Sequence, residues 1–276
     1  MSLITADALK NALADAYATA RTVILDVRWT LPKPNGADDY AAGHIPGAQY
    51  ADLDTQLSGT SDDATLGRHP LPDPADLQET IRAWGITSDS TVVVYDDNSS
   101  LGAARGWWIL RWAGLNDVRV LDGGLSAWKA AGGELSTETP QPAPSDITIT
   151  PGAMPTVDAD QAAATAALGT LLDARPPARF RGEDDSMDPR AGHIPGALNR
   201  PATENYRDGS LLPKEELAAQ FADLGADSGA VVAYCGSGVT ACSNILALEQ
   251  IGVRASLYSP SWSGWSADES RPAAKG

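Results

Sequence analysis

Short apolar runs and longer segments of mixed polarity alternate along the whole chain. Runs of strand length fall at 23–27, 92–95 and 118–121, and again at 170–173, 230–234 and 253–258. They are rich in Val, Ile and Leu, which predicts strands buried on both faces. Between them, Asp76 to Trp84, Ala103 to Ala113, Lys214 to Leu224 and Ser243 to Gln250 carry apolar residues at helical spacing. Strands alternating with helices predict an α/β fold of parallel sheets flanked by helices. One stretch breaks the pattern: Thr137 to Asp146 has three prolines and no periodicity, and reads as an extended connector. The expected organisation is a domain over 1–137, a linker over 138–151 and a domain over 152–276.

The two halves repeat one another. Val23-Ile24-Leu25-Asp26-Val27-Arg28 pairs with Thr170-Leu171-Leu172-Asp173-Ala174-Arg175. Ala42-Gly43-His44-Ile45-Pro46-Gly47-Ala48 pairs with Ala191-Gly192-His193-Ile194-Pro195-Gly196-Ala197. Thr91 to Asp96 pairs with Ala230 to Cys235, and Leu125-Ser126-Ala127-Trp128 with Trp262-Ser263-Gly264-Trp265. Matches in one preserved order imply a tandem duplication, and clefts between domains are favoured ligand sites. The halves differ at one telling place, where Asp96 stands opposite Cys235.

Cys235 follows the apolar run 230–234 and opens the loop Cys235-Gly236-Ser237-Gly238-Val239-Thr240-Ala241, ahead of a helical stretch from Cys242. A strand-to-helix loop of small residues points backbone N–H groups inward, at the positive end of the helix dipole. Thiolates are favoured in such settings. Two glycines let the backbone curl close to a ligand. The loop excludes a cysteine phosphatase, which uses a cysteine, five residues, then an arginine; Ala241 stands at the arginine position, so a phosphate dianion lacks its bidentate partner.

Composition narrows the function further. The 276 residues carry a formal charge of −16, which disfavours nucleic acid and anionic membrane surfaces. An anionic substrate then needs local arginines. No leader is read in residues 1–20, no run is long enough to span a membrane, and the cytoplasm is the expected compartment. Two cysteines and three widely spaced histidines predict neither a disulfide framework nor a metal site.

Leu25-Asp26-Val27-Arg28, both Gly-His-Ile-Pro-Gly-Ala segments, Asp122-Gly123-Gly124, Leu172-Asp173-Ala174-Arg175, Arg179-Phe180-Arg181-Gly182, the cysteine loop and Ser261-Trp262-Ser263-Gly264-Trp265 together resemble the two-domain rhodanese-type sulfurtransferases. The resemblance spans nearly the whole chain. It implies tandem rhodanese-like domains, the first inactive with Asp96 at the cysteine position. It also implies an enzyme without a cofactor that moves sulfane sulfur through a Cys235 persulfide. The neutral loop resembles the 3-mercaptopyruvate type; thiosulfate is the alternative donor, and a persulfide carrier with little small-donor turnover a third reading. The acceptor is expected to be a thiol, such as thioredoxin or glutathione, or cyanide, and the chain a monomer.

The resemblance also implies roles for individual residues. The N–H groups of Gly236, Gly238, Val239, Thr240 and Ala241 hold the terminal sulfur. Arg179 holds the donor's anionic end, with Arg175 and Arg190 as further candidates; because Asp173-x-Arg175 recurs as Asp26-x-Arg28, Arg175 also reads as a structural carboxylate–guanidinium partner in both halves. Ser237, His44 and Asp39 form a proton relay. His193 reads as structural, because its turn is duplicated. His69, in the proline-rich loop 67–72, could border the cleft. Cys242 reads as packing, with a redox partner of Cys235 as its alternative. Trp107, Trp108 and Trp112 read as core or interface, and Trp262 and Trp265 as cleft candidates. The acidic stretch Glu183 to Arg190 departs from the family's second carboxylate-binding arginine.

Overall fold

In the structure, a computed structural model, residues 2–30, 36–184 and 186–276 are described, so Asp185 of the acidic stretch lies outside them. Two compact units form. Unit 1 comprises Met1–Ser58, Pro72–Met154 and Tyr206–Leu211; unit 2 comprises Gly59–Leu71, Pro155–Asn205 and Leu212–Gly276.

The sheet of unit 1 contains β1 (Leu3–Ile4), β2 (Thr22–Asp26), β3 (Ala48–Tyr50), β4 (Thr91–Tyr95) and β5 (Val118–Leu121) in the order β1-β5-β4-β2-β3. Every neighbouring pair is parallel. Val92, Val93, Val94 and Tyr95 of β4 are buried, as a central strand covered on both faces requires. The unit's longer helices are α1 (Ala6–Ala14), α2 (Pro74–Ala83), α3 (Leu101–Trp112) and α4 (Gly124–Ala130). α2 starts where it does because Asp73 accepts from the amides of Ala75 and Asp76, and Pro74 fits the first turn. Trp107 and Trp108 on α3 are fully buried core residues.

Unit 2 repeats this plan. Its strands β6 (Thr170–Asp173), β7 (Leu198–Asn199), β8 (Val231–Tyr234) and β9 (Ser256–Leu257) run in the order β9-β8-β6-β7, again all parallel. That is β5-β4-β2-β3 a second time. The counterpart of β1 has shrunk to one parallel bridge between Thr156 and Leu257. Register is conserved too: Asp26 lies beside Tyr95, and Asp173 beside Tyr234. The helices are α5 (Ala159–Leu168), α6 (Pro177–Arg181), α7 (Lys214–Ala222), α8 (Ala241–Gln250) and α9 (Ser261–Ala267). A reciprocal capping box of Asp158 and Gln161 begins α5. Trp262 and Trp265 belong to this unit's core rather than to an open wall.

The shared register builds the same buried polar network twice. Arg28 donates to both oxygens of Asp26 and to Gly43 O; Arg175 donates to both oxygens of Asp173 and to Gly192 O. Tyr95 and Tyr234 each accept from the next turn, through the amides of Ile45 and Ile194. Burial lifts both phenols far above their ordinary range, and the neighbouring aspartate adds to the shift. Burial alone would lower Arg175, but Asp173 outweighs it and pushes the guanidinium up. Of the two readings of Arg175, substrate ligand or structural partner of Asp173, the geometry favours the second and corrects the first: it is 2% exposed, its Nε and Nη2 donate to Asp173 and Gly192 O, and Arg28 makes the same contacts in unit 1.

Sequence halves and compact units do not coincide. The linker residues pack on unit 1, with Arg82 Nε donating to Ile147 O and Thr150 N to Ala113 O. Gly59–Leu71, early in the sequence, is part of unit 2. Tyr206–Arg207 and Ser210–Leu211 form an antiparallel hairpin in unit 1, where the Leu211 amide meets Asp122. A division read at 137 and 152 follows chain order, whereas contacts do not. Among the described residues no helix is long and apolar enough to cross a membrane.

Candidate active site

Cys235 sits at the end of β8, where the chain leaves the sheet for α8. It is 2% exposed. Its sulfur accepts the Gly238 amide at 3.1 Å. Its backbone is held by the start of α9: the Cys235 amide donates to Ser261 Oγ, and Cys235 O accepts from the Trp262 amide. Gly236 O accepts from the Ser263 amide in the same way. Gly238 has a φ of +81°, and a Cβ there would lie 2.5 Å from Ser259 O, so glycine is required on both counts. The amides of Gly236, Ser237, Val239, Thr240 and Ala241 find no acceptor in the described residues, which leaves the loop with donors free for a ligand.

Unit 1 shows what such a loop holds. The buried Asp96 carboxylate accepts four amides, from Asn98, Ser100, Gly102 and Ala103, at 2.8 to 3.0 Å. Burial pushes this carboxyl up, while the four N–H groups pull against that shift. Asp96→Asn turns one acceptor oxygen into a donor facing two amides. It should destabilise the protein by about 1–3 kcal/mol, read as a lower denaturation midpoint at unchanged slope. A neutral result would mean that the loop tolerates an uncharged filler.

Two arginines overhang the loop of unit 2. A methyl group on Gly236 would come within 3.2 Å of Arg68 Nη2 and 3.3 Å of both terminal nitrogens of Arg179. Arg179 was expected here from the sequence; Arg68 was not. The Arg68 backbone is fixed by its amide, which donates to Ser263 Oγ at 3.1 Å. Next to it, His69 Nδ1 lies 2.7 Å from Ser237 Oγ.

The expected relay is corrected by this contact. Ser237 meets His69, not His44. The ring nitrogens of His44 lie 2.8 Å from Tyr40 O and 3.1 Å from Glu138 O, and the ring stacks on Tyr40. His193 stacks on Phe180 and bonds its carbonyl, the same arrangement in the other unit. Both histidines brace duplicated turns. Asp39 lines a cavity of unit 1 with Arg28, Asp97 and Lys129. Arg190 is likewise not a substrate ligand: its guanidinium donates to the carbonyls of Trp265, Ser266, Asp268 and Arg271, closing the C-terminal end of α9. Cys242 is fully buried and contacts Gly238 O at 3.4 Å.

Ser261 was also missed. It has a φ of +55°, which costs a non-glycine residue about 1 kcal/mol. The repeat places it opposite Gly124, which has the same φ. Serine at this strained place supplies the hydroxyl that takes the Cys235 amide, so the paired sequences held the signal.

Comparison with known proteins agrees with this geometry. The model of the rhodanese-like domain matches twice, over residues 5–131 and 157–268. The chain belongs to the rhodanese family. This rhodanese-family chain is 47% identical over 274 residues to a probable 3-mercaptopyruvate sulfurtransferase of Pseudomonas aeruginosa, covering 96% of each. It is 46% identical over 260 residues to a Mycobacterium tuberculosis protein provisionally named a thiosulfate sulfurtransferase, covering 92% and 90%. The crystal structure of SseA from Escherichia coli, described with the catalytic mechanism of 3-mercaptopyruvate sulfotransferases, superposes with a TM-score of 0.83 at 32% identity. It covers 95% of this chain and 99% of that one. The chain is a sulfurtransferase with two rhodanese domains.

Proposed function

We propose that this sulfurtransferase takes sulfur from 3-mercaptopyruvate and carries it as a persulfide on Cys235. The observation that supports this best is the setting of the sulfur: buried, on the Gly238 amide, in a loop whose Gly236 lies against two guanidiniums. In the first step the Cys235 thiolate attacks the donor sulfur. An S–S bond forms as the donor's C–S bond breaks, and the electron pair leaves as the enolate of pyruvate. The donor's S–H proton ends on the enolate carbon, giving pyruvate and Cys235–S–S⁻. In the second step a thiolate or cyanide attacks the outer sulfur and releases Cys235. This is covalent catalysis of ping-pong type. Arg179 and Arg68 hold the donor carboxylate, and the loop amides hold the persulfide anion. The proposed compartment is the cytoplasm, in keeping with two free cysteines.

Thiosulfate is the second reading, favoured by the pair of guanidiniums and by the mycobacterial relative. It differs in one chemical respect: sulfite leaves as a dianion and needs no proton. The Ser237–His69 pair is therefore needed only for mercaptopyruvate. His69→Ala should lower kcat/KM for mercaptopyruvate by about 10²-fold, a usual loss for a proton-transfer group, and for thiosulfate by less than about threefold. Equal losses would remove the relay. Comparing kcat/KM of the unaltered enzyme tests the donor: a higher value for 3-mercaptopyruvate supports the first reading, and a higher value for thiosulfate the second.

A further inference from the structure

The guanidiniums over Gly236 do not present two full charges to the loop. Asp188 holds both. One of its carboxylate oxygens accepts from Arg68 Nη1, and the other accepts from Arg179 Nη2 at 2.6 Å. Its side chain is 2% exposed, and Arg68 Nη1 also reaches the neighbouring Met187 O at 3.2 Å. The carboxylate is thus clamped at both oxygens on a segment tied to the same arginine. Two guanidiniums and one carboxylate leave a net charge of about +1 where a donor anion must bind.

We propose that Asp188 is a specificity-determining residue, a resident counter-anion that admits a monocarboxylate donor and resists a dianionic one. This rests on the reading of the Cys235 loop as the donor site. A monoanion neutralises the remaining charge. A dianion leaves an excess negative charge beside a buried carboxylate, in a protein whose total charge is already −16. Discrimination then comes from a repulsive element built into an otherwise attractive site. Because Asp188 is gripped by both arginines, a donor shares them with it rather than displacing it. The acidic character of the 183–190 stretch, a departure from the family pattern, acquires a use.

The test is the ratio of kcat/KM for thiosulfate to that for 3-mercaptopyruvate. Asp188→Asn keeps the shape and removes the charge; it should raise this ratio by about tenfold or more, mainly through the KM for thiosulfate. Asp188→Glu keeps the charge and should leave the ratio near that of the unaltered enzyme. If the asparagine variant does not fold, Asp188→Ser gives the same reading. An unmoved ratio, or proportional losses with both donors, would overturn the proposal and make Asp188 a brace for the arginines. Failure of the underlying reading looks different: the unaltered enzyme would then gain no sulfur on Cys235 from either donor.

Discussion

Cys235→Ser should abolish sulfur transfer from both donors, lowering kcat/KM by about 10⁴-fold or more, the scale seen when a covalent nucleophile is removed. The reason lies in the bond that must form. A hydroxyl cannot take up sulfur as a stable S–S bond, and at neutral pH it is not ionised. The variant should nevertheless fold, because serine is close in size to cysteine and the loop is fixed by backbone contacts to α9. Mass spectrometry after a single turnover checks this directly. The unaltered protein should gain the mass of one sulfur atom, and Cys235→Ser none. A retained adduct would place the sulfur on Cys242 instead. Cys242 has no room for that role in the present geometry, being fully buried against Gly238 O.

The second large effect concerns stability. Asp173→Asn should cost about 3–5 kcal/mol, the usual penalty for leaving a buried charge without its partner. Arg175 would then keep Gly192 O, one uncharged amide oxygen, the charge of Asp188 and the face of Trp262, whose ring centre lies 5.0 Å from the guanidinium carbon. The repeat supplies an internal comparison. Asp26→Asn breaks the same network in unit 1, where Arg28 is somewhat more exposed, 12% against 2% for Arg175. Water can reach Arg28 more easily, so its loss should be the smaller of the two. Denaturant midpoints of both variants measure this. A cost below about 1 kcal/mol at Asp173 would show that Arg175 relaxes into solvent.

Much of the fold was legible because its central strands are short apolar runs. β2, β4, β5, β6 and β8 all fall where the pattern predicts them. β9 falls inside the predicted run 253–258, though only Ser256–Leu257 pairs; β1, β3 and β7, also of two or three residues, lie in no apolar run and were not predicted, since their pairing depends on neighbours far along the chain. The nucleophile position was legible for a different reason. Asp96 and Cys235 occupy matching places, so the sequence contains its own control. The partners of the loop were harder to read. His44 and His193 stand out because they lie in a repeated motif, yet repetition marks what both units need structurally. Arg68 and His69 have no counterpart in the repeat, and they sit in a loop without periodicity. Their importance comes from a long-range contact, 168 residues along the chain in the case of His69 and Ser237. Arg190 was misjudged, and Arg175 stood between a ligand and a structural role, because charge alone does not say whether an arginine faces a ligand or a buried partner.

The segment Gly59–Leu71 alters how the duplication should be understood. Genetically the chain is two copies joined by a linker. Mechanically, the copy with Asp96 at the cysteine position contributes a strap, and that strap carries Arg68 and His69 into unit 2. A cut in the linker would therefore not separate the two compact units. The carboxy-terminal piece would keep its sulfur atom but lose one of its two cations and the imidazole beside Ser237. The duplication is in this way no longer separable along the chain: the first half of the sequence lends side chains to the second unit.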